Sequence, residues 1–186
     1  MKIIKHYDSN SEDALSYDEN KDCALFAVSC GAGTSIWKTF ENVEIRKHVH
    51  FFKCVGQSDY NLSLEKVNIE LKSDVDEILK EHRFKKAIIV STLGGRTGTE
   101  YAPILSKLLF EAELEMINIV TFSFGFEGKD RLEKSQKALV EMNRYAKYTT
   151  LFNLENLKTS LANINVVDFF SILASYIEKT VINYVL

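Results

Sequence analysis

The chain has 186 residues, 46% apolar and 26% charged, with a formal net charge of −3, the make-up of one globular domain long enough to bury a sizeable core. That charge gives no general grip on nucleic acid or anionic membrane, and no apolar run reaches transmembrane length, so neither partner is expected. Cys23, Cys30 and Cys54 are odd in number and lack CxxC spacing, so they read as free thiols of a reducing cytoplasm.

From the N-terminus, residues 1–20 hold no secretory core and carry the polar cluster Asp8, Ser9, Asn10, Ser11, Glu12 and Asp13. They read as a flexible leader, with the domain over 21–186. Apolar runs of strand length follow at Ala24–Val28, Val49–Val55, Ala87–Val90, Ile117–Phe124 and Thr149–Phe152, several of them continuously apolar. That pattern suits parallel strands covered on both faces. Between them lie segments of helical character at Ile36–Phe40, Ser73–Glu81, Ala102–Leu114 and Lys129–Tyr145. Strand–helix alternation of this kind predicts an α/β fold with a doubly wound parallel sheet, whose ligand sites lie at the carboxyl ends of the strands.

All but one of the eight glycines fall in three loops after predicted strands. Ser29-Cys30-Gly31-Ala32-Gly33-Thr34-Ser35 suits backbone approach to a phosphate at a helix start, and suits equally a tight strand–helix turn. Ser91-Thr92-Leu93-Gly94-Gly95-Arg96-Thr97-Gly98-Thr99-Glu100 is the strongest of the three. Its glycines can expose successive amides, and Thr97 and Thr99 add hydroxyls that can meet a phosphate or cap the next helix. Pro103 fits the first turn of that helix. No GK[ST] occurs, so this is not a Walker loop. The third loop, Phe124-Gly125-Phe126-Glu127-Gly128-Lys129-Asp130-Arg131, brings a carboxylate and a guanidinium to the same edge. Taken alone, Glu127 is as readily a helix cap and Arg131 a solvated charge.

Other clusters carry less. His48 and His50 share a strand face without a third ligand, which favours an edge or interface pair over a metal site, and His6 and His82 stand alone. Ser29 and Cys30 have no identifiable base. Trp37 and the phenylalanines read as core, and Lys85 and Lys86 as solvated.

Gly94-Gly95-Arg96-Thr97-Gly98-Thr99-Glu100 resembles the GGGTGTG signature of the FtsZ/tubulin family. Ile119 to Arg131 is similar to the FtsZ segment VVTKPFNFEGKKR at the family's separation. Weaker similarity runs through Cys30–Thr34, Gln57-Ser58-Asp59, Phe152–Glu155 and Val166–Phe170, the last resembling the start of the family's central helix. The resemblance covers about Cys23 to the C-terminus. It implies a Rossmann-like nucleotide-binding domain without the family's second domain. The implied ligand is GTP or GDP, with Mg as its companion. Gly31, Ala32, Gly33, Gly94, Gly95, Arg96, Thr97, Gly98 and Thr99 would surround the phosphates. Glu127 and Arg131 would meet the ribose, Asn153 the guanine edge and Phe170 the guanine face.

The sequence also departs from that pattern. Arg96 and Glu100 replace glycines, and Ser175 stands where the family carries the aspartate that reads guanine. Leu62–Lys72 offers no glycine loop for a terminal phosphate, and the acidic loop that would complete a neighbour's site is expected to be missing. The expected function is therefore guanine-nucleotide binding with weak or partner-dependent hydrolysis, cytoskeletal or tied to cell division. A degenerate interaction module that has lost nucleotide is the alternative. A Rossmann oxidoreductase ranks last, because GxGxxG is absent. Val166–Leu186 is apolar almost all round, which predicts a homo-oligomer or a protein partner through this helix.

Overall fold

The computed structural model describes residues 2–5, 21–28, 45, 48–55, 63–161 and 163–186. Six strands form one sheet: β1 (Lys2–Lys5), β2 (Cys23–Val28), β3 (His50–Val55), β4 (Lys86–Thr92), β5 (Glu115–Phe122) and β6 (Tyr148–Asn153). Their order is β1-β3-β2-β4-β5-β6. Strands β2 to β6 are mutually parallel, with Ala24 opposite His50 and Ala87, and Ile117 opposite Tyr148. Strand β1 pairs antiparallel with β3, Lys2 opposite Val55. Residues 2–5, read above as part of the leader, are thus an edge strand. Ile3 N also donates to Asp74 Oδ2 at 2.8 Å.

The described helices are α1 (Leu64–Glu81), α2 (Ala102–Glu111), α3 (Lys129–Asn143), α4 (Leu154–Ser160) and α5 (Val166–Val185). Successive strand residues feed opposite faces. Ala24, Phe26, Ile89, Met116 and Val120 meet Val67, Leu71, Leu105, Leu109 and Met142 of α1, α2 and α3. Leu25, Ala27, Ile88, Ile117 and Ile119 meet Phe169, Leu173, Ile177 and Val181 of α5. Burial on both faces explains why the strands read as unbroken apolar runs.

Helix α1 starts nine residues before the predicted Ser73. Its N-cap is Ser63, whose hydroxyl accepts from Lys66 N at 3.3 Å. The predicted connector Leu62–Lys72 is therefore mostly helix. Its buried positions Val67 and Leu71 are one turn apart, and the exposed Leu64 and Ile69 blur that stripe. Lys86, expected to be solvated, instead donates from Nζ to the Tyr184 carbonyl at 2.7 Å, in the last turn of α5. His82 does not stand alone. At the amino edge of the sheet its ring lies 4.6 Å from that of His50 and stacks on Phe84 at 5.2 Å. Burial pushes the Cys23 thiol up to about 12 and that of Cys54 higher still, so both pack as neutral side chains at ordinary pH. Trp37 and Ile36–Phe40 lie outside the described residues.

Candidate functional site

The site is built at the carboxyl edge of β4, β5 and β6, which are neighbours in the sheet. After β4, Leu93 N donates to Thr121 O at 3.0 Å, holding the chain on β5 for one more residue. It then turns at Gly94, whose φ of +108° lies in the region that glycine favours. Gly94 N donates to Thr99 Oγ1 at 2.8 Å. A helical turn opens at Gly95, where Thr99 N closes on the Gly95 carbonyl at 3.0 Å, and widens into a π turn over Thr97–Tyr101 before α2. The amides of Thr97 and Gly98 precede that first closed bond. They belong to the donors that a helix start offers to an outside acceptor, where the dipole also favours an anion.

Space fixes the two outer glycines more tightly than amide exposure does. A Cβ on Gly94 would overlap Ser123 Oγ, and one on Gly98 would overlap the Thr92 carbonyl oxygen. Thr97 is buried, and the Thr99 hydroxyl is engaged with Gly94, so these threonines shape the loop from within. Arg96 Nε meets Glu100 Oε2 at 2.9 Å across one turn, each side chain about a third exposed, at 31% and 36%. The two departures from the glycine signature thus form a pair.

The loop after β5 makes a 3₁₀ turn at Gly125–Glu127 and enters α3 through Gly128. Glu127 accepts from Phe124 N at 2.9 Å through Oε1 and from Arg131 Nη1 at 2.7 Å through Oε2. It therefore caps the turn and holds Arg131 at once. Phe126 is exposed and stacks on Phe124 at 5.0 Å, Phe124 meets Phe169 at 5.7 Å, and Phe169 meets Phe170 edge-on at 5.4 Å. Phe170 is thereby joined to the loop by a run of rings. Asn153, at the end of β6, caps α4 by accepting from Glu155 N at 3.0 Å and Asn156 N at 3.2 Å, which leaves its amide NH₂ pointing to no partner among the described residues. Ser175 lies half-buried on α5.

Of the residues expected from sequence, Gly94, Gly95, Arg96, Thr97, Gly98, Thr99, Glu127, Arg131, Asn153 and Phe170 belong to this edge or to the elements entering from it. Gly31, Ala32 and Gly33 lie outside the described residues; they follow β2, which neighbours β4. Sequence reasoning missed three supports. Glu155 Oε2 accepts from Gly125 N at 2.9 Å, tying α4 to the β5 loop, while Ser123 and Ser135 sit buried between that loop and Gly94. The only signal for the serines is a polar residue in otherwise apolar surroundings. Among the described residues no three His, Cys, Asp or Glu side chains stand together as a metal-binding group.

A family model described as Tubulin/FtsZ family, GTPase domain, matches residues 52–162. The cell division protein FtsZ of Porphyromonas gingivalis is 28% identical over 87 residues, covering 47% of this chain and 19% of that protein. FtsZ of Aquifex aeolicus is 29% identical over 110 residues, covering 58% and 30%. Among solved structures, an empty FtsZ dimer from M. jannaschii superposes with a TM-score of 0.64 at 17% identity, over 87% of this chain and 53% of that one. A GTPγS-bound protofilament of CetZ2 from Haloferax volcanii gives 0.62 at 15%, over 85% and 56%. At such identities the superpositions establish the fold. The chain spans about half the length of those solved structures and less of the curated relatives.

Proposed function

Because the chain belongs to the Tubulin/FtsZ family, in its GTPase domain, we propose that it binds a guanine nucleotide at the carboxyl edge of β4, β5 and β6. The observation that carries this reading is the turn at Gly94–Thr99, where a left-handed glycine and a glycine without room for a Cβ set up a helix start at the mouth of the sheet. First-turn amides and Arg96 suit phosphate oxygens, Glu127 and Arg131 suit ribose hydroxyls, and the NH₂ of Asn153 suits a base carbonyl. Magnesium would arrive on the phosphates. Hydrolysis is weak or partner-dependent, since Glu100, the carboxylate on the phosphate loop, is already engaged by Arg96.

Titration with a fluorescent GDP analogue tests the reading. Saturable binding is expected, and Arg131→Ala should weaken it by about 1–3 kcal/mol, the value of a charged hydrogen bond. No binding at high micromolar protein, with the fold intact by circular dichroism, would sink it. That result would favour a second reading, an interaction module without nucleotide. Its support is that Arg96 is already paired with Glu100, and Arg131 with Glu127.

Self-association through α5 is part of the same proposal. One face of α5 packs on the sheet, while Val166, Val167 and Tyr176 are exposed, at 71%, 75% and 46%. Similar solved structures include an FtsZ dimer and a CetZ2 protofilament, which supports self-association. Sedimentation at tens of micromolar should show a dimer or larger species that Val167→Glu dissociates. A monomer at that concentration would refute it.

A further inference from the structure

Two buried serines lie between the turn at Gly94 and helix α3. Ser123, just beyond β5, is 3% exposed, and Ser135, in the second turn of α3, is fully buried. Ser123 Oγ reaches the Leu93 carbonyl at 3.0 Å, Ser135 Oγ reaches the Arg131 carbonyl at 2.8 Å, and the two hydroxyls are 3.3 Å apart. Each hydroxyl has one proton to give. The chain from Leu93 O through Ser123 and Ser135 to Arg131 O therefore has three contacts and two protons, and one contact is always without a proton. Shifting both protons moves the deficit from one end to the other. Ser123 Oγ also fills the space that a side chain on Gly94 would need. The hydroxyl is thus wedged under the turn at its left-handed residue. Ser123 stands where the similar FtsZ segment has proline, which has no hydroxyl to donate.

We infer that Ser123 and Ser135 are positioning residues: a hydroxyl relay that sets the glycine turn against the helix carrying Arg131, and so tunes the hold on the phosphates. The relay joins the two parts of the site that meet different ends of a nucleotide. Gly94 opens the phosphate turn, and the residue supplying the far carbonyl, Arg131, carries the guanidinium paired with Glu127. The consequence for binding rests on the nucleotide reading above; the mechanical link does not.

The test uses Ser135→Ala, Ser123→Ala and the double variant. Alanine suits the helical position 135, and the Arg131 carbonyl keeps its helical bond, so Ser135→Ala is expected to fold. Amide hydrogen exchange without nucleotide comes first. Ser135→Ala should speed exchange at Leu93, Gly94 and Thr99 by about tenfold, the worth of one ordinary hydrogen bond, and leave the far end of α3 unchanged. Unchanged exchange in the turn overturns the relay. Titration comes second. Affinity for GDP should fall by about tenfold and that for GMP by less than about twofold. The double variant should lose no more than the worse single one, because the pair acts as a unit. Equal losses for GDP and GMP, or additive losses, would overturn the positioning role. Failure of the wild type to bind either nucleotide would refute the nucleotide reading, and the exchange result alone would then decide the relay.

Discussion

Replacing Gly98 by alanine should abolish nucleotide binding and destabilise the domain by roughly 3 kcal/mol, the upper end for forcing an extra carbon into a packed site. The added carbon would overlap the Thr92 carbonyl oxygen and lie 2.8 Å from the carbonyl carbon and 2.9 Å from Ser91 Oγ. Two of these are backbone atoms at the end of β4, where Thr92 is registered opposite Thr121 of β5. Neither can swing away as a long side chain would. The loop must lift off the strand, carrying the first-turn amides with it. For a chain of this length the midpoint of thermal unfolding should drop by about 6–12 °C. Gly128→Ala is the control. Gly128 has positive φ, +104°, unlike Gly98, but an added Cβ would meet nothing within 4 Å. Its cost is about 1–3 kcal/mol of backbone strain, since ψ of 154° puts it in the extended positive-φ region that glycine alone adopts readily, and the Gly94 turn is untouched. Gly98→Ala melting with the wild type would show that the loop has slack the packing does not suggest.

Arg96→Ala and Glu100→Gln should move affinity in opposite directions. In the resting pair each charge neutralises the other at 2.9 Å. A nucleotide brings several negative charges to the same turn and competes for Arg96. Removing the arginine leaves Glu100 facing those phosphates, and binding should weaken by about 10- to 100-fold. Glu100→Gln removes a negative charge that repels the phosphates and competes with them for Arg96, so binding should tighten by about two- to fivefold, a modest gain because both groups are partly exposed and screened. The contrast between the variants should shrink as salt rises. If Glu100→Gln weakens binding as much as Arg96→Ala does, the pair is a structural brace and not a counter-ion exchange. Phosphate release from the same samples completes the comparison. Slow turnover is expected in all three, and rapid wild-type turnover lost in Glu100→Gln would make Glu100 a water-positioning group.

The strands were legible because every strand from β2 to β5 is covered on both sides, so burial writes itself into continuous apolar runs such as Ala24–Val28. Strand β1 was not, since four residues, Lys2 to Lys5, on an edge need few apolar side chains. The first half of α1 failed for a related reason: five of its first six residues are exposed, and two of those are apolar. At the site, glycine and charge types pointed to loops that the fold gathers at one edge of the sheet. The sequence could not say that Gly94 and Gly98 are fixed by Ser123 Oγ and the Thr92 carbonyl, nor that Arg96 would find Glu100. The Ser123–Ser135 contact joins residues on different elements, and no local pattern announces it.

The strand order carries a kinetic consequence. No two neighbours in this sheet are joined by a hairpin. Cys23 must find Lys86, and Lys2 must find Val55. Such non-local pairings cost loop-closure entropy before any bond rewards them. The closures are shorter within β2–β3 and within β4–β5–β6, where Ala24 meets His50 and Lys86 meets Glu115, than at the β2–β4 joint between the two groups. That joint is the costliest parallel seam for the chain to close, and the carboxyl ends of β2 and β4 meet along it. The proposed site lies at the β4 margin of this seam, so a ligand that also reached the end of β2 would hold together the pairing that chain entropy most opposes.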